Sequence, residues 1–201
     1  MFNFLIYKKF RTKKWNKFSP KKRLKLLQKM ENITARKIGR VVYRVEAHNF
    51  LDSTRGLCLF KDKMIFIDAN FLRQDSLSFF ALSTLFHEQR HAEQFETIAS
   101  GKKIWKFSKK YKWKKNIESY ISYDGKEKFS YYSMQSVERD ANFSAIKRLR
   151  KLKFWFLNDK LYFHCLESKI KEYDLTKEYA KKELGPFYKL KLFLRSKRKK
   201  K

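Results

Sequence analysis

DSLSFFALSTLFHEQRHAEQFETIASG, residues 75–101, is the stretch whose reading decides the fold. Asp75-Ser76 is a helix-start pair and Gly101 a stop, and between them Leu77, Phe80, Ala81, Leu85, Ala92, Phe95 and Ile98 recur at helical spacing. Residues four apart on a helix project from one face, so His87 and His91 present two imidazoles to a single point. Two imidazoles so placed suit a tetrahedral zinc ion. Glu88, one position on, flanks that point without ligating, where a carboxylate accepts a proton from metal-activated water. A chance H-E-x-x-H on a surface helix is the competing reading. Against it stand the apolar face of the helix, a strand predicted just before it, and the use of two of the four histidines in the chain.

Such a site needs a third protein ligand, and the segment downstream offers one. From about Ser133 to Phe154 the residues Met134, Ala141, Ala145, Leu149 and Leu152 mark a helical stripe. Glu138 falls on that stripe, four after Met134 and three before Ala141. A buried carboxylate without a partner is costly, whereas one that binds a metal is satisfied; an ion pair with one of the many Lys and Arg side chains is the other way to satisfy it. Between the two helices, residues 102–130 show no period and read as a long surface loop or irregular subdomain. Beyond them come an apolar patch from Phe154 to Cys165 and an amphipathic helix from Leu166 to Leu184, ended by Gly185-Pro186.

Upstream, Val41, Tyr43 and Val45 alternate, and Gly56 to Phe60 and Met64 to Ile67 are short apolar runs. Three short strands separated by turn-forming residues predict a small antiparallel hairpin or meander. Before them lies a basic helical arm: Ser19-Pro20 is an N-cap and first-turn pair, and Leu24, Leu26, Leu27 and Met30 form one stripe before Gly39. The expected fold is α+β, a small antiparallel sheet packed on the H-E-x-x-H helix and on a second, glutamate-bearing helix. The expected organisation is a basic helical arm over 1–38, a zincin-like domain over 39–190, and a basic disordered tail over 191–201.

H-E-Q-R-H on one helix, followed by E-R-D-A at the start of a later one, resembles the gluzincin-type zinc metallopeptidases over about residues 60–150. The resemblance implies zinc held by His87, His91 and Glu138, with Glu88 as general base in the hydrolysis of a peptide bond of a protein or peptide substrate. Asn142, one turn after Glu138, occupies the place where that family often keeps an Asp that orients a ligand histidine. Asp140 is the alternative for this role. Tyr131, with Tyr132 beside it, is the candidate donor to a developing oxyanion. Gln94 stands where the metzincin pattern has its Gly, and no His follows, so that arrangement is excluded. His48 and His164 read as ordinary loop or core residues.

With 43% hydrophobic and 17% aromatic residues, the 201-residue chain is not a disordered polymer. Its formal charge of +30 has two readings: attraction to nucleic acid or another polyanion, or a compositional bias toward Lys. A basic nucleic-acid-binding protein with a vestigial or structural metal site is therefore the alternative function. Cys58 and Cys165 lack metal-site or disulfide-framework spacing. No stretch is long and uncharged enough to cross a bilayer, and Met1 to Tyr7 is too short for a signal sequence, so a cytoplasmic protein is expected.

Overall fold

The computed structural model describes residues 4–100, 107–118, 120 and 132–185. The predicted basic tail, 191–201, lies outside the described residues, as does most of 119–131. Two short helices, α1 (Phe4–Tyr7) and α2 (Thr12–Trp15), lead into α3 (Pro20–Ile38). Strands β1 (Arg44–His48), β2 (Gly56–Leu59) and β3 (Met64–Asp68) follow, then α4 (Asn70–Arg73) and α5 (Ser78–Ala99). Among the described residues, α6 (Phe107–Glu118), α7 (Ser136–Leu152) and α8 (Lys160–Leu184) follow, and short 3-10 turns lie at Lys8–Phe10 and Lys153–Phe156. The class is α+β, mostly helical with one three-stranded sheet.

Local chemistry sets the ends of α3. Ser19 Oγ accepts from the Lys22 backbone N–H, and Pro20, whose missing N–H needs no partner there, opens the helix. Gly39 closes it at φ 66°, and the Arg40 N–H turns back to the Ala35 carbonyl. Leu26, Leu27 and Met30 face inward and join Phe10 and Trp15 in the same hydrophobic cluster as Leu85, Leu149 and Phe156.

The sheet corrects the antiparallel expectation. Its order is β1-β3-β2; β2 and β3 form the predicted hairpin, but β1 runs parallel to β3. Alternation along a strand fixes which residues face the core, here Val45, Ile65 and Ile67, yet it is silent on which strand is the neighbour. The seven residues 49–55 are too many for a tight hairpin and carry the chain across the end of the sheet. β2 therefore takes the far side of β3. The outer edge of β1 is not left bare: Gln28 of α3 accepts from the Val45 N–H at 2.7 Å and donates to the Tyr43 carbonyl at 3.0 Å.

Helix α5 lies between the sheet and α7 and packs most extensively on α7. Covered on two sides, it buries Ala81, Leu82, Leu85, Phe86 and Ala92 together with Glu88, Gln89, His91 and Gln94. Ala141 and Ala145 on α7, both fully buried, let the two helices approach closely. Part of the expected loop, Phe107–Glu118, is helical, and α8 begins at Lys160, within the apolar patch. Cys58 and Cys165 are unpaired, and among the described residues no helix is long and apolar enough to cross a membrane.

Candidate metal centre

The middle of α5 and the first turn of α7 bring His87, His91 and Glu138 together. His87 Nε2 and His91 Nε2 are 3.0 Å apart, His87 Nε2 is 3.1 Å from Glu138 Oε2, and His91 Nε2 is 3.2 Å from Glu138 Oε1. Among the described residues, these three form the group of His, Cys, Asp and Glu side chains able to share one metal ion.

The hydrogen-bond network behind the rings decides what they present. Gln94 donates its amide to the Val137 carbonyl at 3.0 Å and to Asp140 Oδ2 at 3.1 Å, so its oxygen faces His91 Nδ1 at 2.9 Å. That orientation assigns the Nδ1–H tautomer to His91. Asn142 Oδ1 lies 3.1 Å from His87 Nδ1, a contact that suits the same tautomer on the other ring. Both Nε2 lone pairs then converge with a carboxylate whose Oε1 also accepts from the Tyr120 hydroxyl. A metal ion satisfies all three acceptors together; a proton on His91 against Glu138 is the other way to hold them. The three contacts of 3.0–3.2 Å, one between the nitrogens and one from each nitrogen to a different carboxylate oxygen, lie near the ligand–ligand separation of about 3.3 Å that a tetrahedron with arms of about 2.0–2.1 Å requires. Two imidazoles and a carboxylate suit a divalent transition metal.

Titration follows the same geometry. Burial lowers the His91 pKa, but the Glu138 charge and hydrogen bond outweigh it, and the ring is pushed up to about 9. Burial raises Glu138, and here too the opposing influence wins: His91 and His87 hold it well below the usual carboxylate range. Glu88 is shifted upward, first by burial and then by the Glu138 charge, against a downward pull from the two histidines.

Beside the group lies a cleft of about 450 Å³ lined by Gly56, Leu57, Thr84, His87, Glu88 and Glu138 together with Tyr120 and Tyr132. Strand β2 passes so closely over α5 that a Cβ at Gly56 would collide with Thr84 Cγ2 and lie 3.0 Å from Glu88 Oε1. Glu88 is therefore wedged between the strand and the helix.

Of the residues expected from the sequence, His87, His91 and Glu138 meet, Glu88 lines the cleft beside them, and Asn142 touches His87. Asp140 does not touch a histidine; it accepts from Arg90 Nε at 2.6 Å and from Gln94, and so acts on His91 through Gln94. Tyr131 lies outside the described residues. Sequence reasoning missed two members. Gln94 carried a signal, since it lies one turn after His91 on the same face. Tyr120, whose hydroxyl donates to Glu138 Oε1 at 2.7 Å, carried none among eleven tyrosines. No family model, no curated protein and no solved structure matches the chain.

Proposed function

We propose that the chain is a cytoplasmic zinc-dependent metallopeptidase in which His87, His91 and Glu138 hold the ion and Glu88 is the general base. The observation that carries this reading is the convergence of three lone-pair donors, two of which, His87 and Glu138, line a cleft, with a second carboxylate, Glu88, beside them in the same cleft and outside the ligand group. A purely structural site closes its fourth position and has no use for such a base. Zinc, when bound, acidifies a water molecule and polarises a carbonyl.

The rest of the chemistry belongs to the chain. Glu88, with its proton affinity raised by burial, accepts a proton at its carboxylate and returns it to the leaving amine. Asn142 and Gln94 fix the two rings with Nε2 toward the cleft. Tyr120 donates its hydroxyl proton to Glu138 Oε1 and so orients the carboxylate, with Tyr132 edge-on beside it at the cleft; the donor role first expected of Tyr131 falls to Tyr132. The unpaired thiols of Cys58 and Cys165 agree with a reducing compartment.

The test is metal content joined to peptide hydrolysis. Purified protein should carry one zinc per chain; His87→Ala and Glu138→Ala should lose it. Glu88→Gln should keep the zinc and lose hydrolysis of a casein or peptide-library substrate by 10²-fold or more. Wild-type protein without zinc affinity, or Glu88→Gln with full activity, refutes the proposal.

A further inference from the structure

The balance of basic and acidic residues is uneven along the chain. Residues 1–40 hold fourteen Lys and Arg against one acid, Glu31. That acid is buried and bound at both oxygens by Arg40, with Oε1 also accepting from the Tyr43 N–H. Helix α8, by contrast, carries six Lys and Arg against five Asp and Glu. The segregation lies in the acids more than in the bases.

On α3 the exposed cations are Lys21, Lys22, Lys25, Lys29, Arg36 and Lys37. Lys22, Lys25, Lys29 and Arg36 are spaced by three, four and seven residues, which at about 100° per residue sets them within an arc of about 60° over a length of about 21 Å. None of these four has an acidic partner among the described residues. The opposite face of α3, carrying Leu26, Leu27 and Met30, is locked in the core, and Gln28 ties the helix to the outer edge of β1. The ridge is therefore rigid, unlike a charged tail.

We infer that this ridge of α3 is a docking surface for the phosphate backbone of duplex nucleic acid, bound without sequence preference. A row of cations without acidic partners along one face of a straight rod faces the phosphates of a duplex and releases their counterions on contact. Membrane insertion is disfavoured because the apolar face of α3 is already used by the core, leaving no exposed apolar stripe to enter a bilayer. Single strands are held by stacking on exposed aromatic rings; here Phe10 and Trp15 are buried, and Phe18 is half-buried with Lys22 Nζ 4.3 Å over its ring. Asn32, the amide nearest the ridge, has its oxygen tied to Gln28 Nε2, and the ridge cations themselves address phosphates, which carry no sequence information. The cleft opens beside β2, at the other edge of the sheet, so the docking surface and the candidate metal centre are separate.

The test measures binding of the full chain to two unrelated 20-base-pair DNA duplexes between 50 and 200 mM salt. Equal affinity for both is expected, with a loss on the order of 10²-fold or more across that salt range for at least four phosphates contacted. Replacing Lys22, Lys25, Lys29 and Arg36 together by Gln should lower the log–log salt slope by about three to four. The control replaces four exposed cations of α8, Lys160, Lys171, Lys181 and Lys182, by Gln and so removes the same charge; it should leave the slope unchanged. Equal losses in the two quadruple variants would mean bulk charge alone and overturn the inference. So would binding to phosphatidylserine vesicles with none to duplex. If the α3 variant does not fold, Lys25→Gln and Lys29→Gln singly should each lower the slope by about one. His87→Ala must leave DNA binding intact, so this inference and the metallopeptidase reading fail separately.

Discussion

Gly56→Ala is the substitution that tests how the cleft is built. The added methyl collides with Thr84 Cγ2 and comes within 3.0 Å of Glu88 Oε1 and 3.1 Å of its Cγ. Carbon atoms in contact prefer about 3.5 Å or more, so Glu88 must give by about half an ångström, and β2 or the stiff Thr84 side chain must give as well. Overpacking of this kind costs about 1–3 kcal/mol, or roughly 2–12 °C in Tm for a domain of this size. A shift of about 1 Å in a reacting group costs about 10²-fold, so kcat should fall between about ten- and a hundredfold while zinc content holds. Adding Thr84→Ala removes the methyl that is struck and should return part of the lost Tm without restoring kcat. Differential scanning calorimetry, metal analysis and peptide hydrolysis are the three assays. A Gly56→Ala protein with wild-type Tm and wild-type kcat would refute the close packing of β2 on Glu88. A loss of zinc would refute the separation of Glu88 from the ligand set.

Three further outcomes follow from the same contacts. His91, pushed up to about 9, must release its proton before it can ligate, so metal affinity should weaken about tenfold for each unit of pH below about 9; calorimetry in buffers of different ionisation heat should register about one proton released per ion bound. Gln94→Ala takes the acceptor from His91 Nδ1 and should weaken metal binding about 10–100-fold in a chelator competition, with Glu88 unmoved. Arg23→Ala strips hydrogen bonds from the carbonyls of Trp15, Leu72 and Gln74 and should cost about 3 kcal/mol or more, lowering Tm by about 6–12 °C in a single transition. Two separate transitions would instead mean that residues 1–38 melt as an independent unit.

What the sequence made legible was periodic or chemically rare. The ends of α3 could be read from Ser19, Pro20 and Gly39 because capping is local, and α5 could be read because its apolar spacing persists over six turns. Glu138 stood out because a carboxylate sat where the stripe of α7 called for an apolar side chain. The parallel pairing of β1 with β3 was not legible, since it is set by where residues 49–55 carry the chain and not by any strand's own pattern. Nor was Tyr120 legible, because its contact with Glu138 joins two segments with no shared period. Asp140 was recognised as relevant and given the wrong neighbour: its position on the wheel points toward α5, but only the packed helices reveal that Gln94 stands between it and His91.

The contacts that hold α5 against α7 decide whether a metal is needed for folding. Gln94 bonds the Val137 carbonyl, Arg90 pairs with Asp140 at 2.6 Å, Arg148 donates to Gln89 at 2.6 Å, and Ala141 and Ala145 close the apolar interface. None of these passes through the ligand triangle. The triangle has its own means of staying closed, because His91 near neutral pH carries a proton against the Glu138 carboxylate. Removal of metal should therefore leave the helices in place, unlike the zinc modules whose fold is the binding energy itself. The expected result is a chelated protein with unchanged far-ultraviolet circular dichroism and a cooperative melt, lowered only by the mass-action contribution of the lost ligand, about 4 kcal/mol at a thousandfold excess over Kd. Loss of helicity on chelation would turn the argument round: the triangle would then be a structural staple, and Glu88 a buried carboxylate without a reaction to serve.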